Sequence, residues 1–296
     1  MTQQNINVSG SILSWPVNTE KFCSLFAKYP NGKMAAQKDT VQPQRKANVI
    51  VLGGSMTRME YGSVDCVLSV GQCSHPVAEQ GIQNLSRCAW FSYVTKFLHS
   101  EYPDIDLAFY NFAQSGYFSL LMAVEIPLLF SSISITPDDT IILDHSCNDG
   151  MVDSSVGFEL LVRAILRVYG NEVPTIIVME QWMHTGLHPG WYGQRTPIDQ
   201  RSKYMAHYRN IARVYGLLYF SYSEVLWSQQ NDLFETLKAY ELHSPWHVHR
   251  FISDIFAGYF FKLINDHCRL DNNSTSLKGL GLGSVNYPEF NSISVY

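Results

Sequence analysis

Four short segments concentrate the residues of this chain that could do chemistry. The first is Gly53-Gly54-Ser55-Met56-Thr57, where consecutive glycines permit a tight turn after an apolar run and would present Ser55 near a helix N-terminus, as a nucleophile would be. A glycine turn with a capping serine is the competing account. The segment is not a phosphate loop, because no lysine follows. Nor is it a Gly-x-Ser-x-Gly elbow, because Thr57 stands at the second glycine position. The second segment, Asn111-Phe112-Ala113-Gln114-Ser115-Gly116, offers a flexible backbone turn. The third, Asp144-His145-Ser146-Cys147-Asn148-Asp149-Gly150, places a dense polar group directly after an apolar one. Acyl-transfer chemistry needs hydrogen-bond donors aimed at a developing oxyanion, and the N–H of Gly116 with the amide of Asn148 could supply them. Ordinary Asx turns before glycine would explain the same residues.

A fourth segment holds His243, His247 and His249 within seven residues. An imidazole with its unperturbed pKa near neutrality suits deprotonation of a serine. A metal site would need a cysteine or carboxylate partner at a familiar interval, which the spacing lacks, so no metal is expected. Helix capping and core packing are the other account, in which His247 and His249 would share.

The elements that must position these groups follow from hydrophobic periodicity. Residues 48–52 (NVIVL) are apolar after Asn48 and do not alternate, as in a parallel strand covered on both faces. Residues 86–100 carry Trp90, Phe91, Val94, Phe97 and Leu98 at helical spacing, with Ser86 as the expected cap. The alternation continues with strands at 107–112, 140–144, 175–179 and 217–222, and helices at 119–130, 156–168, 198–215 and 248–264. This rhythm predicts one doubly wound α/β domain with five strands. The expected organisation is an N-terminal extension over 1–46, the domain over 47–268 and an irregular tail over 269–296.

Composition narrows the function classes. The 296 residues are 46% hydrophobic, 16% charged and 13% aromatic, which supports a large buried core. A net charge of −5 leaves no electrostatic footprint for nucleic acid. No cationic segment precedes an apolar run at the N-terminus, so no signal peptide is expected. The apolar stretch at 118–130 is broken by Glu125 and Pro127, so no membrane span is expected and the chain should be soluble. Cys66, Cys73 and Cys88 lie close enough in sequence to permit a disulfide. Sequon patterns occur at Asn7, Asn84, Asn272 and Asn273. Both features are compatible with a secretory or lumenal context, and the compartment stays open.

A serine after the first strand, a glycine after the second, Asn-Asp after the third and His-x-Pro before the last helix stand here in one order. In that combination the chain resembles the SGNH, or GDSL-like, hydrolase superfamily over about residues 47–268. GGS matches the serine block, with Gly54 where many members have Asp. Residues 111–119 match the glycine block, LDHSCNDG the Asn-Asp block and HSPWHVHRFISD the histidine block. The resemblance implies a single three-layer α/β/α domain with a mostly parallel five-stranded sheet of flavodoxin-like order, and a serine esterase working through an acyl-enzyme. Ser55 would be the nucleophile, with its own N–H, Gly116 and Asn148 as oxyanion donors and His243 as base. The family's usual acid, three residues before that histidine, corresponds to Tyr240, which is not anionic at neutral pH. Glu241 is then the candidate acid by a different backbone path. A main-chain carbonyl orienting His243 in a dyad, or His247 as base, are the alternatives. The resemblance implies no cofactor. Trp182, Trp191, Tyr192 and Trp246 fall in expected loops on the strands' carboxyl side and could stack on a sugar, which would suit an acetylated glycan, or simply pack the loops. An O-acyltransferase and a catalytically silent binding protein are the alternative functions.

Overall fold

The strand over Lys46–Gly53 shows how the sequence builds the sheet: from Ala47 onward its residues are buried on both faces, and all but Asn48 are apolar. The computed structural model describes residues 12–13, 46–54, 57, 89–103, 105–152, 155–170, 174–180, 198–221 and 246–267. Its strands are β1 (Ile12–Leu13), β2 (Lys46–Gly53), β3 (Asp106–Asn111), β4 (Thr140–Asp144), β5 (Thr175–Glu180) and β6 (Leu218–Ser221). Its helices are α1 (Trp90–Glu101), α2 (Ser119–Ser131), α3 (Ser146–Val152), α4 (Ser155–Tyr169), α5 (Ile198–Tyr215) and α6 (Trp246–His267).

The sheet order is β1-β6-β5-β4-β2-β3. The five strands from β2 to β6 are all parallel, and β1 adds a two-residue antiparallel edge through Ile12 opposite Phe220 and Leu13 opposite Tyr219. In chain order the parallel strands run 2-1-3-4-5, the flavodoxin-like arrangement. Ala47, Val49 and Val51 face one core, shared with α1 and α6. Ile50 and Leu52 face the other, shared with α2, α4 and α5. The chain is therefore a three-layer α/β/α sandwich with a mostly parallel sheet, as its strand-helix rhythm leads one to expect.

Two local features differ from the sequence expectation. Helix α1 begins at Trp90 with Ala89 at the N-cap and no side-chain cap, and Ser86 lies outside the described residues. Asn148 and Asp149 sit in the helix α3, not in a turn. Asp149 N–H donates to the His145 carbonyl at 2.9 Å, and its carboxylate is committed to groups distant in sequence, so it is not available for the local bond that makes an Asx turn.

Candidate active site

A 2-1-3-4-5 sheet has its topological switch point between β2 and β4, and ligands bind outside the strands' carboxyl ends there. β2 ends in Gly53 and continues to Gly54, whose N–H donates to the Asp144 carbonyl at the end of β4 (3.4 Å). Thr57 N–H returns to the Gly54 carbonyl at 3.1 Å, and the Thr57 hydroxyl donates to the buried Asp144 carboxylate. A Cβ on Gly53 would lie 2.8 Å from Thr57 Cβ and 2.9 Å from the Asp144 carbonyl oxygen. Close approach of the Thr57 side chain and the Asp144 carbonyl, not φ, is what demands glycine at that position.

The segment after β3 runs alongside this turn. Phe112 N–H donates to the Val51 carbonyl and Gln114 N–H to the Gly53 carbonyl, both at 3.0 Å. Tyr117 N–H then closes on the Gln114 carbonyl at 3.2 Å, making a four-residue turn whose third member, Gly116, has φ 71°. Such turns need glycine at that position. The closing bond uses the Tyr117 amide, so that of Gly116 takes no part in it. Gly116 is exposed.

From the far side comes Asn148, 7% exposed on α3. A Cβ on Gly54 would lie 1.9 Å from Asn148 Oδ1 and 3.1 Å from its Nδ2. The amide therefore packs directly on the Cα of Gly54, in the space that a side chain at position 54 would occupy.

Two buried titratable groups tie these segments together. Asp149 Oδ1 accepts from Ser119 N–H at 2.7 Å, and Oδ2 accepts from the Ser119 hydroxyl at 2.5 Å and from Tyr208. Burial raises the Asp149 pKa to about 6, against the lowering effect of those hydrogen bonds. His145 is fully buried, and burial lowers its pKa to about 4. Its Nδ1 lies 3.4 Å from the Tyr117 carbonyl, which can only accept, so Nδ1 carries the proton. Nε2 is then a bare lone pair, with no hydrogen-bond partner among the described residues. Both groups brace residues 117–119, immediately after Gly116.

No protein-family model matches the sequence, and no curated protein matches it significantly. Solved structures do match. A two-domain esterase (CEX) active on acetylated mannans superposes with a TM-score of 0.56 at 16% identity, covering 89% of this chain and 57% of that one. This chain thus spans a little over half of that esterase. LAE5, an α/β hydrolase enzyme from the metagenome of Lake Arreo in Spain, gives 0.52 at 14% identity over 75% of this chain and 98% of its own. A protein described as a GDSL-like lipase, from Parabacteroides merdae, gives 0.53 at 9% over 76% and 99%. The chain has the SGNH-hydrolase fold.

Within that SGNH fold, the structure brings two expected site residues, Gly116 and Asn148, to the switch point through their bonds and contacts with Gly53 and Gly54. Ser55, Tyr240, Glu241, His243, Trp182, Trp191 and Tyr192 lie outside the described residues. Trp246 is the first residue of α6, and its side chain, like that of His247, is outside them too. His249 is buried on α6, where its Nδ1 accepts the Trp90 N–H at 3.4 Å and so satisfies a donor at the start of α1. The capping account of this histidine is the one the structure supports. Sequence inspection missed His145, Asp149 as a brace, and Thr57 with Asp144. Their only signal was polar character directly after an apolar strand. Among the described residues no group of three His, Cys, Asp or Glu side chains stands ready for a metal, and no helix is long and apolar enough to cross a membrane.

Proposed function

We propose that this chain is a serine esterase of the SGNH type, hydrolysing carboxylic esters through an acyl-enzyme, with its catalytic domain over residues 47–268. The observation that carries the reading is the contact of both candidate oxyanion segments with one stretch of backbone. The Gly116 turn is hydrogen-bonded to Gly53, and the Asn148 amide rests on Gly54, the residue before Ser55. Donors held before the reaction begins stabilise a charge that forms only in the transition state.

In the proposed mechanism Ser55 Oγ attacks the ester carbonyl while His243 takes its proton. The tetrahedral oxyanion is held by the N–H groups of Ser55 and Gly116 and by the Asn148 amide. Collapse expels the alcohol, protonated by His243, and leaves an acyl-serine. Water, deprotonated by the same imidazole, then releases the acid. Glu241 or a main-chain carbonyl orients His243, since Tyr240 carries no charge at neutral pH. The reaction requires neither metal nor cofactor. Two observations support a substrate class: one structural neighbour is an esterase active on acetylated mannans, and Trp182, Trp191 and Trp246 are residues of a type that stacks on sugars. We assign acetyl esters on glycans.

A fluorophosphonate probe tests the reading directly. Covalent labelling of the wild-type chain, abolished in Ser55→Ala, is the expected result, and a p-nitrophenyl ester series is expected to favour acetate over long chains. A folded wild-type chain that takes no label overturns the esterase and leaves the silent binding protein. Labelling with faster transfer to an alcohol than to water identifies an acyltransferase.

A further inference from the structure

The turn that presents Gly116 is exposed, and among the described residues nothing lies within 4 Å of where a Gly116 side chain would begin. In a turn of this kind, rotation of the Ser115–Gly116 peptide would aim the Gly116 N–H elsewhere without disturbing the closing bond between Tyr117 and Gln114. An oxyanion donor is worth most when its direction is set in advance. The structure contains a device that supplies this, on an element that carries none of the expected catalytic residues.

Glu125 stands on α2, within two helical turns of Ser119, in a helix otherwise made almost wholly of apolar residues. Its Oε2 accepts from Gln114 Nε2 at 3.0 Å and its Oε1 from the Tyr117 hydroxyl at 2.7 Å. Gln114 and Tyr117 are the first and last residues of the turn. One carboxylate thus holds both ends of a four-residue loop, using both of its oxygens, and does so from a helix whose own start is fixed by Asp149 through Ser119. The backbone adds a second pair of ties at the same two residues: Gln114 N–H to the Gly53 carbonyl and the Tyr117 carbonyl to His145. The bond to Glu125 also raises the Tyr117 phenol pKa, which keeps that hydroxyl a donor throughout the neutral range.

We propose that Glu125 is a positioning residue that fixes the 114–117 turn and thereby the direction of the Gly116 N–H, a role that rests on the esterase reading above. The Glu125 carboxylate is bonded to Gln114 and Tyr117, and it acts through them.

The test compares wild type, Glu125→Ala, Glu125→Gln, Tyr117→Phe and Gly116→Ala by p-nitrophenyl acetate kinetics and fluorophosphonate labelling rate, with melting temperature as the folding control. Glu125→Ala is expected to lower kcat roughly 10- to 100-fold with KM nearly unchanged, and to slow labelling in step. Glu125→Gln, which keeps an acceptor for the Tyr117 hydroxyl, and Tyr117→Phe, which removes one tie, are expected to fall between. Gly116→Ala places an L side chain at φ 71° and disturbs the turn itself, so adding Glu125→Ala to it should cost little more. A Glu125→Ala chain that labels and turns over at the wild-type rate overturns the role, as does full additivity with Gly116→Ala. Should Glu125→Ala fail to fold, Tyr117→Phe at the wild-type rate overturns the role equally. A wild-type chain that takes no label overturns the esterase reading itself, a result distinct from labelled wild type with an indifferent Glu125.

Discussion

Glycine at position 54 and asparagine at position 148 are one feature seen from two sides. Gly54 departs from the Asp found at that place in many members of the family the chain resembles, and in this chain the Asn148 amide fills the volume a side chain would need. Asn148 is almost wholly buried and cannot swing into solvent to make room. Gly54→Ala is accordingly expected to displace the amide and lower kcat on p-nitrophenyl acetate by roughly 100- to 1000-fold, the cost of losing one oxyanion donor, while far-UV circular dichroism stays unchanged. Full activity in that variant would remove Asn148 from the mechanism. At this scale the glycines, Asn148 and Gly116 were legible in the sequence because each belongs to a short motif. His145, Asp149 and Glu125 were not, because what each does depends on a partner reached only through the fold, such as Tyr117 for His145.

Helix starts show the same limit among elements. α1 and α2 both lack a side-chain cap from their own N-cap residue. Each takes its acceptor from another element, His249 for Trp90 N–H and Asp149 for Ser119 N–H. Asp149 brings a pH signature. Its folded pKa, near 6, lies above the unfolded value, so its contribution to stability is present below about pH 4 and lost as pH rises through 6. His145 is opposite in sign: its folded pKa, near 4, lies below the unfolded value, so its contribution is present above about pH 6.5 and lost as pH falls toward 4. Between pH 4 and 6 the two slopes cancel. Asp149→Asn, which keeps an acceptor for Tyr208, removes one of them. Its urea midpoint is expected to climb from pH 4 to 6.5 more steeply than that of wild type, by up to about 3 kcal/mol of stability. Parallel pH profiles for the two proteins would show that Asp149 is not displaced upward.

Across the whole molecule, two buried layers sandwich the sheet, and the ends of the sheet divide the labour. At the amino ends of the strands, Asp139 accepts from Asn48, Thr136 and Tyr169 and serves as a structural tie. At the carboxyl ends, Asp144 and Asp149 hold segments that carry the candidate site. In the α1–α6 layer Phe256 meets Trp90 at 5.7 Å, Phe220 at 5.8 Å and Tyr259 and Phe260 at 6.2 Å between ring centres. Phe256→Ala is expected to destabilise the fold by about 3–5 kcal/mol in urea denaturation. A loss below about 1 kcal/mol would mean that this layer packs loosely.

Local pattern alone was enough for the α/β class, for β4 at Thr140–Asp144 and for α5 at Ile198–Tyr215, because periodicity and strand burial are written in neighbouring residues. The order of the motifs along the chain pointed to the same fold. Tertiary structure alone decided that Asn148 lies in a helix, that its amide occupies the space beside Gly54, that His249 caps α1, and that Glu125 holds both ends of the turn bearing Gly116. These are meetings of residues 8 to 159 positions apart. A hydrogen bond or a steric contact depends on a distance of a few ångströms, and in a folded chain that distance is set by packing, not by separation along the sequence.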